Sequence, residues 1–234
     1  MTGTDTGVGK TVVSAALANW FGRRGIRVGV CKPIATGCER RREGLVSEDA
    51  EFLAHCANAR QPLDLVCPQR YAEPLAPAVA AQRANQPVDW TVVQRAMDLI
   101  AQESDRMVIE GVGGVMVPLD DRHTVLDLMI WLGLPAVVVA RASLGTINHT
   151  LLTIQALRKA SIQIAGVVIN GYPAESPGLA EETNPKVIER WGKVKILCIL
   201  PQIQQLQMPH LSADIVAAID AVDWEFLASK RNIA

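Results

Sequence analysis

The 234-residue chain lacks the features that would place it in a membrane, outside the cell or on a nucleic acid. Its five cysteines, Cys31, Cys38, Cys56, Cys67 and Cys198, form no Cys-x-x-Cys pair. That argues against a zinc site or a disulfide framework and fits a reducing cytoplasm. No signal peptide opens the chain, whose N-terminus is polar and glycine-rich. The longer apolar stretches, such as Leu134 to Ala140, fall far short of the roughly 20 residues of a membrane span. Neither sign of charge dominates, and a net charge of −1 leaves no global field for nucleic acid or an anionic membrane. Internal repeats, low-complexity tracts and linkers are missing too. What remains is an ordered chain, 49% apolar and 20% charged, long enough to bury the core of one domain over residues 1 to 234.

The stretch richest in chemistry is Met-Thr-Gly-Thr-Asp-Thr-Gly-Val-Gly-Lys-Thr, Met1 to Thr11. Glycines at 3, 7 and 9 let backbone approach a ligand closely and adopt positive φ. Followed by a helix N-terminus, the N–H groups of such a loop form a fixed anion site. Lys10 can reach outer phosphates, and the Thr11 hydroxyl can hold Mg²⁺. Measured against the pattern G-x-x-x-x-G-K-[ST], the leading glycine sits one residue early, at Gly3, which makes this a variant phosphate loop.

Further along, Thr11 to Arg24 carries a helical apolar stripe ending at Gly25. Arg27 to Cys31 reads as a strand delivering Lys32-Pro33-Ile34-Ala35-Thr36-Gly37 at its carboxyl end, where open α/β sheets bind ligands. Glu39 to Glu43, with three arginines between two glutamates, reads as a solvated loop. Ser47 caps a helix to about Cys56, and Asp89 or Thr91 starts another through Ile100. Arg106 to Glu110 reads as a buried strand ending in Glu110-Gly111-Val112-Gly113-Gly114, a carboxylate followed by three glycines in four residues. Helix is expected over Val125–Leu132, strand over Pro135–Ala140, and helix from the Ser143–His149 segment to Lys159. Strand follows over Gln163–Ile169, then a polar loop over Ala174–Thr183, helix over Pro185–Trp191, strand over Lys195–Leu200 and a closing helix over Ser212–Leu227. Strands alternating with helices predict an α/β fold, a mostly parallel sheet covered on both faces.

These motifs together resemble the dethiobiotin synthetase family. Gly-Thr-Asp-Thr-Gly-Val-Gly-Lys-Thr, Lys-Pro-Ile-Ala-Thr-Gly, Glu-Gly-Val-Gly-Gly, Leu-Gly-Thr-Ile-Asn-His and the strand-end Asn170 occur in the family's order, from Thr2 to about Pro201. The first motif is shared loosely with partitioning-type ATPases and cobyrinic acid amidotransferases; the Lys-Pro and Leu-Gly-x-Ile-Asn-His blocks are more particular. The resemblance implies a single-domain P-loop NTPase-like fold and biotin biosynthesis. ATP, CO₂ and 7,8-diaminopelargonic acid would give dethiobiotin, ADP and phosphate through a carbamate that ATP phosphorylates and the second amine closes. It implies Gly7, Val8, Gly9, Lys10 and Thr11 around the phosphates, and Asn170 at the adenine. Thr11, Asp49 and Glu110 would ligate Mg²⁺, a hard cation suited to oxygen donors. Lys32 would neutralise the carbamate, Thr6 and Thr36 would hydrogen-bond it, and the Gly113 backbone would support the diamine. Family members are homodimers, and Gly145, Thr146 and Asn148 match the segment that meets the substrate's carboxylate tail across the dimer. His149 is expected to be structural.

Two departures carry expectations of their own. Only Met1 and Thr2 precede Gly3, so the strand that usually leads into such a loop is expected to be missing, with its neighbours' inner edges unpaired and the natural start lying upstream. Cys198 stands where the family has glycine, beside the nucleotide's base. The alternatives are a partitioning-type P-loop ATPase switch, which would favour a second lysine among residues 4 to 8, the synthetase part of an amidotransferase, or an N-terminally truncated, inactive homologue. No lysine occurs at 4 to 8, and no amidase half follows.

Overall fold

The computed structural model describes residues 1–203 and 209–228. Its elements run β1 (Thr2–Gly3), α1 (Lys10–Gly22), β2 (Val28–Cys31), β3 (Ile34–Ala35), β4 (Glu39–Arg41), β5 (Gly44–Val46) and α2 (Glu48–Cys56). They continue through α3 (Leu63–Val66), β6 (Gln69–Arg70), α4 (Pro77–Arg83), α5 (Trp90–Gln102), β7 (Arg106–Ile109), α6 (Val125–Leu132) and β8 (Ala136–Arg141). The last are α7 (Thr146–Lys159), β9 (Ile164–Tyr172), α8 (Leu179–Gly192), β10 (Ile196–Pro201) and α9 (Ala213–Asp220).

Parallel pairing gives two ladders, β2-β7 and β1-β8-β9-β10. Backbone contacts of the first residues stitch them together. Met1 N donates to Ile109 O at 2.6 Å, Gly111 N donates to Met1 O at 3.0 Å, and Gly3 bridges Gly114. The result is one layer in the order β2-β7-β1-β8-β9-β10. A strand leading into the loop is therefore present, over Thr2–Gly3, where the sequence predicts none. Below it the inner edges of β7 and β8 stand apart and flank a cavity of about 260 Å³, walled by Phe21, Met107, Val108, Leu128 and Val137.

Side-chain alternation along β8 shows why the sheet is covered twice. Val137 and Val139 join a core with α1, α2 and α9, whereas Ala136, Val138 and Ala140 join the opposite core with α7 and α8. A strand buried on both faces must be apolar along its buried length, as Ala136 to Ala140 are, with half-buried Arg141 at the carboxyl end. Capping sets the helix starts: Ser47 accepts from Ala50 N, Asp89 from Thr91 N and Val92 N, and Thr124 with Asp127 forms a capping box.

Three boundaries depart from the sequence expectations. The arginine-rich stretch at 39–43 belongs to an antiparallel hairpin, β4–β5, with Arg41 paired to Glu51 at 2.9 Å. α8 begins at Leu179 and carries Pro185 inside it. Asn184, buried, donates to Ala142 O at 2.7 Å and Ile188 is fully buried, so docking offsets the cost of an internal proline, roughly 3 kcal/mol. α9 stops at Asp220, because Trp224 folds back into the core and donates its indole N–H to Ile219 O at 2.9 Å.

Candidate active site

The phosphate loop joins β1 to α1 at the carboxyl ends of the strands, with Gly7 at φ 72° and Gly9 at φ 91°. Gly9 caps α1, so the first turn's N–H groups face the loop's concave side. A Cβ at Gly9 would lie 2.0 Å from Asn170 Nδ2, so only glycine fits. Asn170, on β9 and in register with Arg141, donates that amide to Val8 O at 3.0 Å. The residue expected at the adenine thus also braces the back of the loop.

Four expected residues meet beneath the loop. Lys32 follows β2, Glu110 follows β7, and the β2–β7 register brings Cys31 level with Ile109, so both next residues emerge side by side. Lys32 Nζ lies 2.7 Å from Glu110 Oε1 and 2.8 Å from Asp49 Oδ2. The Thr11 hydroxyl donates to the same Glu110 oxygen at 2.8 Å. Glu110 is wholly buried and its other oxygen, Oε2, has no hydrogen-bond partner among the described residues. Burial alone would lower the Lys32 pKa, but Glu110 and Asp49 outweigh it and hold the ammonium above its ordinary value. Burial would likewise raise the Asp49 pKa, yet Lys32 and the Thr11 hydroxyl keep it below the usual carboxylate range.

Lys10 is buried and donates to Asp5 O at 2.9 Å, with its ammonium 3.0 Å from where a Cβ on Gly3 would sit. Burial is the main reason its pKa falls to about 8, partly opposed by Glu110. Lys10, Lys32 and Glu110 are buried and Asp49 reaches the cluster from its solvent side, so two lysines and two carboxylates balance in charge.

These groups fit a divalent cation. Thr11, Asp49 and Glu110 supply a hydroxyl and two carboxylates, and the unpartnered Glu110 Oε2 is the buried acceptor such an ion would satisfy. No cluster of three His, Cys, Asp or Glu suited to a metal occurs among the described residues, so the fit rests on the mixed hydroxyl–carboxylate set.

The other expected residues lie around this centre. Gly113, at φ 60°, comes close to Thr6, whose Oγ1 would be 3.4 Å from a Cβ there. Thr36 is half-buried just beyond β3. Gly145 caps α7 at φ 92°, and Asn148 and His149 are exposed on its first turn. Thr146 is fully buried; its hydroxyl meets Thr150 Oγ1 at 3.5 Å and its N–H donates to Ser143 O at 3.2 Å. Both of its polar groups are engaged within the fold. Sequence reading missed Arg141, whose guanidinium forms an ion pair with Asp5 of the phosphate loop. A single polar residue ending an apolar strand was the only signal.

A parallel sheet ending in a glycine loop, lysine, threonine and a buried glutamate defines a P-loop nucleotide-binding protein. A family described as "AAA domain" matches residues 1–210. Solved structures share the fold: the cell division ATPase MinD of Pyrococcus furiosus at TM-score 0.55, covering 97% of this chain and 94% of that one at 19% identity, and the MinC:MinD complex of Aquifex aeolicus at 0.57, covering 94% and 93% at 14% identity. Curated relatives are more specific. The ATP-dependent dethiobiotin synthetase BioD of Thermodesulfovibrio yellowstonii is 37% identical over 94% of this chain and 95% of its own length. That of Methanocaldococcus jannaschii is 37% identical over 89% and 95%, and that of Anaeromyxobacter sp. (strain K) 41% identical over 86% and 88%. The chain belongs to the ATP-dependent dethiobiotin synthetase family.

Proposed function

We propose that the protein is an ATP- and Mg²⁺-dependent dethiobiotin synthetase, a cyclo-ligase of biotin biosynthesis that converts 7,8-diaminopelargonic acid and CO₂ to dethiobiotin with release of ADP and phosphate. The observation that carries this reading is Lys32, buried between Glu110 and Asp49 directly beside the phosphate loop. A loop that only binds nucleotide has no need of a second buried lysine there. A carbamate and the acyl phosphate it becomes do, because both are anions formed next to the γ-phosphate.

In this reading Lys10 stays on Asp5 O with one of its three N–H donors and turns the others to the β- and γ-phosphates, cradled by the Gly7, Val8 and Gly9 backbone. Lys32 neutralises the carbamate while Thr6 and Thr36 orient it, and the Gly113 backbone lines the diamine. Thr11, Asp49 and Glu110 hold Mg²⁺, which when bound draws charge off the phosphates. Asn170 has an amide oxygen left to face the adenine. We further propose a homodimer in which Gly145 and Asn148 meet the substrate's carboxylate tail across the interface; Thr146 contributes by shaping that turn. No described helix is long and apolar enough to cross a membrane, and the five thiols are free, which supports a cytoplasmic protein.

A partitioning-type switch is not favoured. The MinD structures, at 14–19% identity, share the fold alone, whereas relatives named dethiobiotin synthetase match at 37–41% over most of the chain. The test is purified protein with 7,8-diaminopelargonic acid, bicarbonate and Mg·ATP. Diamine-dependent phosphate release with dethiobiotin seen by mass is expected; phosphate release indifferent to the diamine would overturn the reading.

A further inference from the structure

We infer that the Asp5–Arg141 ion pair positions Lys10, making Arg141 a positioning residue for phosphate handling although it lies outside every motif of the chain. The inference rests on the synthetase reading for its activity measurements but not for its structural one.

Asp5 is the hub. One carboxylate oxygen, Oδ1, accepts from Thr6 N at 2.7 Å, and the other, Oδ2, accepts from the Arg141 guanidinium. Its backbone carbonyl accepts from Lys10 Nζ at 2.9 Å. Fixing both carboxylate oxygens fixes the Asp5–Thr6 peptide, and that peptide's orientation aims the carbonyl at Lys10. Arg141 itself ends β8, in register with Asn170 on β9, which holds Val8 O. Two side chains from adjacent strand ends therefore brace the loop at successive points. Arg141 secures the limb that carries Lys10's acceptor, and Asn170 secures the limb that caps α1.

The burial pattern separates positioning from stability. Side-chain exposure is 40% for Arg141 and 48% for Asp5, so the pair sits largely in water, where such pairs contribute little to folding. What it does supply is a fixed place for a mobile lysine. Arginine suits this because its planar fork loses little freedom per hydrogen bond.

The test uses the full chain in five forms: wild type, Arg141→Gln, Asp5→Asn, the double variant, and Arg141→Lys as the conservative control. Melting temperatures of the singles should stay within about 2 °C of wild type. Turnover at saturating ATP should fall by about tenfold in each single variant, with nucleotide affinity changed by less than about twofold, because the loss lies in lysine placement. The double variant should be no worse than either single, the mark of two residues acting as one unit. Arg141→Lys should recover most of the turnover. Independently of any activity, mass spectrometry should show Lys10 acetylated faster in Arg141→Gln than in wild type, since its acceptor is no longer held. Unchanged Lys10 labelling, additive losses, or a defect confined to ATP affinity would overturn the inference. Wild-type protein that makes no dethiobiotin while Lys10 labelling still responds to Arg141 would instead count against the synthetase reading and leave this one standing.

Discussion

Lys32 Nζ and Glu110 Oε1, seventy-eight positions apart in the chain, lie 2.7 Å from one another with the lysine side chain 6% exposed and the glutamate 0%. Breaking such a pair strands a charge in the interior. Lys32→Met should destabilise the protein by about 3–5 kcal/mol in urea unfolding, because Glu110 has no route to water. Lys32→Met/Glu110→Met should recover much of that loss while remaining inactive. A single variant as stable as wild type would mean the pair is more hydrated than its burial states.

Lys10 predicts a pH dependence. Burial holds its folded pKa near 8, against an ordinary 10.5. Between those values the unfolded chain binds a proton that the folded chain does not, so stability rises with pH through that window, and the penalty is present in full below pH 8. Wild type should gain about 1–2 kcal/mol relative to Lys10→Met between pH 8 and pH 9.5, read as the difference in unfolding free energy. The variant should also lose ATP turnover while keeping its fold. A flat difference would place the Lys10 ammonium in water.

Gly9 and Asn170 test the loop's back wall. Gly9→Ala puts a Cβ 2.0 Å from Asn170 Nδ2 at a φ of 91°, so it meets both a clash and backbone strain. Nucleotide affinity should fall by about a hundredfold, roughly 2.7 kcal/mol. Gly145→Ala, at a similar φ but with no atom within 4 Å, should suffer strain alone and lose less. Equal losses from the two would deny the contact with Asn170.

Asn148 is exposed on the first turn of α7, free to meet a ligand or a second copy of the chain. Asn148→Ala should leave the melting temperature within about 1 °C and raise the KM for the diamine by about tenfold, with turnover retained. An unchanged KM would remove this turn from the substrate's path.

The phosphate loop, the two lysines and the strand-end Glu110 are legible as candidate site residues from the amino-acid order alone, because each lies in a motif with its own chemical logic. Arg141 is not. It is one polar residue at the end of Ala-Val-Val-Val-Ala-Arg, and only the β8–loop contact gives it a partner. Thr146 is legible as part of a turn, but its hydroxyl direction is not, since a helix of fourteen residues has to dock before its inward face is defined. Boundaries failed where tertiary docking overrode a local signal. Pro185 marks a helix start by propensity, yet Asn184 on Ala142 O anchors a helix that begins six residues earlier.

By itself the sequence determined the layered α/β fold, through short continuous apolar strands alternating with capped helices, and glycines where φ must be positive. It also determined the family, through motifs whose order along the chain is specific. The tertiary structure decided which charges face one another. Lys10, Lys32, Asp49 and Glu110 are separate in the chain; the β2–β7 register sets Lys32 beside Glu110, and the packing of α1 and α2 on those strand ends brings Lys10 and Asp49 to them. It also decided that a strand leads into the phosphate loop between β7 and β8: Met1 and Gly3 find backbone partners on both sides, which satisfies their peptide groups.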